Sequence, residues 1–323
     1  MSMSSSFSGS TRPGVPPLEV RLLREGVLES LHRVHAVVCD PRGRVLMRAG
    51  DPQQLSFVRS ALKPFQAMVF VSSGTAERIA CGERGLAIAC ASHTGTATHA
   101  REAFRILWGA DLETSQLQCP VPEGASSPLE HNCSGKHAAF LAVCRRLHWP
   151  LETYLQADHP LSLEVRKRVG ELLAIPGEEL VSARDDCGAP TLQLQLAQMA
   201  LLYAHLGAGG HQDLEQLSRA MLGHPELVAG PGRFDTQLMG LAHGQVLSKG
   251  GAEGIQCLSR VGEGLGVAIK VEDGSARAKH AVALHLLEQL DWLTPLTLED
   301  LRQRFQHPAP HLQLEVRGEL RFD

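Results

Sequence analysis

The hydrophobic pattern of this 323-residue chain changes period twice, and that double change constrains the fold more than any other feature. Near the start, Leu18 to Leu23, Arg33 to Cys39 and Val45 to Arg48 are rich in branched apolar residues and read as short strands. The turn signals Arg24-Glu25-Gly26 and Asp40-Pro41-Arg42-Gly43 separate them, which predicts an antiparallel meander. Ala, Leu, Arg, Glu and Gln then recur at helical spacing in Thr98 to Trp108, Lys136 to Leu147, Leu161 to Leu173, Leu192 to Leu206 and Asp213 to Leu222. After Gly230 short β-like runs return at Gln245 to Ser248, Gly254 to Arg260 and Gly266 to Val271. A helix from about Ala276 to Leu290 follows, and Leu312 to Phe322 reads as a final strand or extended tail. Strands at both ends with helices between them predict an α+β (αβα) protein: one antiparallel sheet built from both chain ends, with packed helices and a helical insertion. The expected organisation is a disordered leader over 1–17 and a single domain over 18–323, with an α/β part at about 18–75 and 230–323 and a mainly helical part at about 76–229.

A formal net charge of −4 and the lack of a basic stripe argue against nucleic acid as partner. The Ser-, Gly- and Pro-rich leader has no apolar signal core, and no later run is long enough to span a bilayer, so a cytoplasmic protein without a membrane partner is expected. Eight cysteines, at 39, 81, 90, 119, 133, 144, 187 and 257, form no CxxC pair and read as buried thiols in a reducing compartment. There is no dinucleotide-binding glycine fingerprint, phosphate loop or internal repeat.

Chemistry is carried first by Arg59-Ser60-Ala61-Leu62-Lys63-Pro64. Positions i and i+3 share a helix face, and Pro64 belongs in a first helical turn, so a helix beginning close to Ser60 would bring its hydroxyl near the Lys63 amine. Two further segments have the right residue types: Cys90-Ala91-Ser92-His93, with a serine ending an apolar run, and Ser248-Lys249-Gly250-Gly251 after a short strand. Penicilloyl-serine hydrolases combine S-x-x-K with S-D-N and K-T-G, and this chain lacks S-D-N. A lysine base must be neutral, and moving its pKa from about 10.4 to near 7 corresponds to about 4 to 5 kcal/mol. Burial beside a second cation achieves this, which makes Lys63 and Lys249 a candidate pair in which one lysine stays protonated and depresses the other. His131-Asn132-Cys133-Ser134-Gly135-Lys136-His137 reads locally as a turn entering a helix, because C-x-x-K is not a standard zinc spacing. Gly230-Pro231-Gly232 before Arg233-Phe234-Asp235-Thr236 reads as a plain turn, with a site there as the alternative.

Taken in order, Arg33-Val34-His35-Ala36, Arg59 to Ala67, Cys90 to His93, Asn132 to His137, Asp185-Asp186-Cys187 and Gly230 to Arg233 resemble the asparaginase II family, the rhizobial type of L-asparaginase, from about Gly26 to His307. The resemblance implies a fold similar to serine β-lactamases and glutaminases and hydrolysis of L-asparagine to L-aspartate and ammonia through an acyl-enzyme. It implies Ser60 as nucleophile with Lys63 accepting its proton, and Ser92 and Lys249 as a second serine–lysine pair that relays protons and tunes Lys63. It further implies a zinc ion near the active site, held by Cys133, Lys136 and Cys187, and a homodimer. Arg59, His137 and Asp185 match positions around the substrate, Arg59 by charge as a carboxylate clamp and Asp185 as an ammonium contact. The alternatives are a glutaminase, a β-lactamase-like serine hydrolase, or a non-catalytic zinc-binding protein of the same fold.

Overall fold

The computed structural model describes residues 14–323, so most of the expected leader, 1–13, lies outside the described residues. The meander forms as predicted, with β1 at Leu18–Arg24, β2 at Val27–Cys39 and β3 at Val45–Ala49. Strand β2 begins six residues before the expected Arg33, because Glu25 and Gly26 take positive φ (50° and 82°) and turn the chain straight back on β1. The early part of β2 was illegible because Val27, Leu28 and Leu31 point to solvent and break the alternation.

Strand β4 (Leu55–Phe57) leads into a short 3₁₀ turn, Arg59–Leu62, and helix α1 (Lys63–Ser72). The helical middle continues with α2 (Thr75–Arg78), α3 (Gly82–Ala89), α4 (Ala97–Gly109), α5 (Ser134–Leu147) and α6 (Pro160–Leu173). The helix expected over Leu192 to Leu206 is a strand followed by a helix. After β5 (Ser182–Arg184), β6 (Pro190–Gln195) pairs with both β4 and β5 in a small three-stranded sheet, and only then does α7 (Leu196–Ala208) start. The break falls at Gln195, whose N–H donates to Gln198 Oε1 at 2.8 Å and caps the helix. Helices α8 (Gln212–Gly223), α9 (Pro225–Val228) and α10 (Phe234–Leu241) close the insertion.

Strands β7 (Val246–Gly250), β8 (Ile255–Arg260) and β9 (Leu265–Val271) return to the sheet. Helices α11 (Ala276–Gln289) and α12 (Pro295–Phe305) and strands β10 (Leu312–Arg317) and β11 (Arg321–Phe322) complete the chain. The main sheet is antiparallel and runs β10-β1-β2-β9-β8-β7, with β3 bridging β2 and β11, so both chain ends build it. Its residues alternate between two cores, as a pleated sheet covered on both faces requires. Val34, Ala36, Val38, Val267, Ile269 and Leu258 face α10, α11 and α12. Val37, Cys39, Ala268, Cys257 and Leu247 face the helical insertion. The protein is therefore α+β with three layers, helices on each side of one antiparallel sheet.

The contact between sheet and insertion is tight where α7 crosses β9. A Cβ on Gly266 would stand 2.0 Å from Ala200 O and 2.3 Å from Ala204 N, both backbone atoms. Gly266→Ala is expected to destabilise the protein by more than the ~1–3 kcal/mol typical of overpacking, read as a lower denaturant midpoint. An unchanged midpoint would contradict this packing.

Candidate active site

Three lysines, Lys63, Lys136 and Lys249, are among the largest fully buried side chains of the described residues. A buried ammonium needs acceptors or a counter-charge, so the partners of each lysine define what it can do.

Lys63 opens α1, one turn after Ser60, and its Nζ donates to Ala91 O at 2.5 Å and Asn132 O at 3.4 Å. It thus holds together the turn bearing Ser60, the loop bearing Ser92 and the loop before Cys133, and it makes no hydrogen bond to Ser60 itself. Other bonds fix the same three segments. Tyr203 OH, fully buried, donates to Ala61 O at 2.8 Å, Ser92 N to Val228 O at 2.8 Å and His93 N to Asn132 O at 3.2 Å. The result is a direct contact between the two serines across 32 residues of sequence: Ser60 Oγ and Ser92 Oγ lie 3.3 Å apart.

Both serines line a cavity of ≈ 280 Å³ at the edge of the main sheet, together with Asn132, Arg233, Asp235, Lys249, Glu253, Lys279 and His280. Lys249 shares the parity of Leu247 on β7 and so sits on the insertion side of the sheet, where the serines are. Its Nζ donates to Gly250 O at 2.9 Å. Burial pulls the Lys249 pKa down to about 7; Asp235 opposes this, while the charges of Lys63 and Lys279 add to the fall. The charge of Lys63, the lysine paired with it in the sequence reading, is thus one of the causes of the Lys249 shift.

Asp235, in the first turn of α10, lies beneath β7 on its other face. Its Oδ1 accepts from Ser248 Oγ at 2.7 Å and Gln256 Nε2 at 2.8 Å, and its Oδ2 from Gly250 N at 2.8 Å. These bonds and the Lys249 charge outweigh burial and hold its carboxyl below the usual range. Asp235 therefore anchors the residues on both sides of Lys249 in sequence. In the sequence Asp235 is marked by its place shortly after the Gly230-Pro231-Gly232 loop.

The remaining candidates do not line this cavity. Arg59 takes a left-handed backbone (φ 55°), donates its N–H to Thr191 Oγ1 at 3.1 Å and pairs through Nε with Asp185 at 2.7 Å and through Nη2 with Asp186 at 2.5 Å. Arg59 and Asp185 thus hold each other. A non-glycine residue at positive φ costs of order 1–3 kcal/mol, here offset by these anchors on both its backbone and its side chain. His137 is fully buried and its Nδ1 lies 2.7 Å from Tyr154 OH.

The three expected metal donors do meet. Lys136 Nζ donates to Cys187 Sγ at 3.1 Å, and the Cys133 and Cys187 thiols are near enough to shift each other's titration. The neighbouring Cys187 thiol and nearby lysines lower the Cys133 pKa against burial, and Cys133 together with burial raises that of Cys187. Two sulfurs and a lysine nitrogen are donor types that suit zinc; burial favours the neutral amine, but the neighbouring sulfurs outweigh it and raise the Lys136 pKa, so that nitrogen would have to lose its proton to bind a metal. Among the described residues no group of three or more His, Cys, Asp or Glu side chains is placed to hold a metal, so any such site depends on Lys136. All eight cysteines are free thiols, and no described helix is long and apolar enough to cross a membrane.

The model of the family described as L-asparaginase II matches residues 20–322, which is wider than the span the motifs alone suggested. No curated protein matches the sequence. Among solved structures the chain is similar to the protein called Mglu in its native form in 4.3 M NaCl, at 14% identity and a TM-score of 0.42, over 80% of this chain and 61% of that one. It is also similar to Mglu in its tris and glutamate form, at 16% identity and a TM-score of 0.40, over 81% and 60%. A β-lactamase from Mycobacterium bovis matches at 12% identity and a TM-score of 0.36, over 84% and 94%. The chain spans about three fifths of the length of the Mglu chains.

A lysine with its pKa depressed from about 10.4 to about 7 binds fewer protons folded than unfolded between those values, so its contribution to stability rises with pH across that window. NMR titration of 13C-dimethylated lysines is expected to show one resonance, lost in Lys249→Met, with a midpoint near 7. In Asp235→Asn the midpoint should move lower, because the removed carboxylate favours the ammonium. If every lysine titrates above pH 9, the buried amine is not depressed.

Proposed function

The chain belongs to the L-asparaginase II family, a family of amidohydrolases, and from that premise we propose that it hydrolyses the side-chain amide of L-asparagine to L-aspartate and ammonia with Ser60 as nucleophile. The observation that carries the reading is the contact between Ser60 and Ser92 in the cavity that Lys249 also lines, with the lysine's pKa near neutrality.

Ser60 Oγ attacks the amide carbon while its proton passes through the Ser92 hydroxyl to neutral Lys249; both hydroxyls can turn to donate in that direction. Backbone N–H groups of the Ser60 turn stabilise the oxyanion. As the tetrahedral species collapses, Lys249 returns the proton to the departing nitrogen and ammonia leaves. Water then attacks the Ser60 ester with Lys249 accepting its proton, and as the C–O bond to Ser60 breaks Lys249 returns that proton to Ser60 Oγ and aspartate is released. We assign the acceptor role to Lys249 rather than Lys63, because Lys249 lines the cavity with both serines and its pKa lies near neutrality, the charge of Lys63 being one of the causes that depress it. Lys63 is then a positioning residue that ties the Ser92 and Asn132 loops to the start of α1. Cys133, Lys136 and Cys187 would hold a zinc ion, which would supply positive charge and a rigid tie between α5 and the Asp185 loop.

Ser60→Ala is expected to abolish ammonia release from asparagine while leaving the circular dichroism unchanged; a variant retaining most activity would remove Ser60 as nucleophile. Because Lys249 must be neutral, kcat/KM should fall about tenfold per pH unit below about pH 7 and level off above it. A flat profile from pH 5 to 8 would contradict Lys249 as base. Elemental analysis of protein purified without chelators should find about one zinc per chain, lost in Cys187→Ser; absence of zinc from the wild type would withdraw the metal.

A further inference from the structure

An asparagine side chain carries no charge, so an enzyme that selects the free amino acid must read its α-carbon groups, of which the carboxylate is the anion. The expected clamp, Arg59, is neutralised by Asp185 and Asp186 and does not line the cavity with Ser60. Two other cations do line it. Arg233, the residue before α10, is exposed and makes no ion pair or side-chain hydrogen bond among the described residues. Lys279, on α11, is buried with 8% exposure, and its Nζ donates to Gly251 O at 2.7 Å and Ile255 O at 3.2 Å. Two of the three N–H bonds of that ammonium are thereby used and one remains.

No acidic group of the cavity forms an ion pair with either cation among the described residues. Asp235 offsets part of the Lys279 charge while it accepts from Ser248, Gln256 and Gly250, and Glu253 is exposed and pairs with neither cation. Gly250 keeps the head of Lys279 open, since a Cβ there would come within 3.2 Å of Lys279 Nζ. Two like charges facing one cavity repel each other, and a carboxylate between them relieves that repulsion and gains charge-assisted hydrogen bonds.

We propose that Arg233 and Lys279 form the subsite for the α-carboxylate of the amino-acid substrate, so that they set specificity for the free amino acid. This rests on the reading of the cavity as an amidase site, but a binding measurement tests it independently of turnover. Lys279 also ties the Gly251 loop, so the subsite and the strand bearing Lys249 are held by one side chain.

Isothermal titration calorimetry with L-aspartate, and with its α-amide as the ligand lacking that carboxylate, decides the question. Arg233→Met and Lys279→Met are each expected to weaken aspartate binding about tenfold or more and to leave the α-amide within about threefold of wild type. Arg233→Lys should recover part of the loss. Arg233 is exposed, so its variant keeps the test sound even if Lys279→Met fails to fold. Unchanged aspartate affinity in Arg233→Met, equal loss of both ligands, or a wild type that binds the two equally or binds neither would overturn the subsite. Ammonia release by the wild type, measured in parallel, separates this outcome from failure of the asparaginase reading.

Discussion

A lysine amine buried at the edge of the main sheet, with its pKa pulled to about 7, is the constraint on which the rest of the site depends. Nothing at the surface of a protein in water would hold an amine neutral at that pH. Three parts of the fold cooperate to do so. The sheet and insertion remove Lys249 from solvent, Lys63 and Lys279 place positive charge nearby, and Asp235 limits the fall while fixing Ser248 and Gly250. The balance matters because a base works best when its pKa lies near the working pH.

The second requirement is to bring hydroxyls from distant segments into the cavity that Lys249 lines. The Ser60 turn, the Ser92 loop and the Asn132 loop meet because Lys63 donates to the carbonyls of two of them from the first residue of α1. Arg59 takes a left-handed backbone one residue before Ser60 and is held there by Asp185, Asp186 and Thr191. The same Asp185 loop carries Cys187, which bonds to Lys136. The sulfur–amine cluster and the serine turn are thus mechanically joined through three consecutive residues.

Much of this was legible in the sequence where local chemistry decides structure. The turns at Glu25-Gly26 and Asp40 to Gly43, and the helical periods of α4, α5, α6 and α8, needed no distant information. Strand β6 was read as helix because Leu192, Leu194 and Leu196 fit both periods, and pairing with β4, more than a hundred residues earlier, decides between them. Helix α12 was missed because it is largely polar, with Leu298 and Leu301 its buried residues. The site followed the same division. Ser60, Ser92 and the lysines stood out as residue types in motifs, whereas the closure of Arg59 by Asp185 and the anchoring of β7 by Asp235 arise from contacts that no spacing encodes.

The central claim is that Ser60 forms the covalent intermediate. Incubation with an asparagine analogue bearing an electrophilic diazo ketone in place of the amide, followed by peptide mass spectrometry, tests it most directly. The account predicts one adduct, on Ser60, lost in Ser60→Ala and formed more slowly below pH 7; an adduct on Ser92 or Cys133, or labelling that persists in Ser60→Ala, would contradict it.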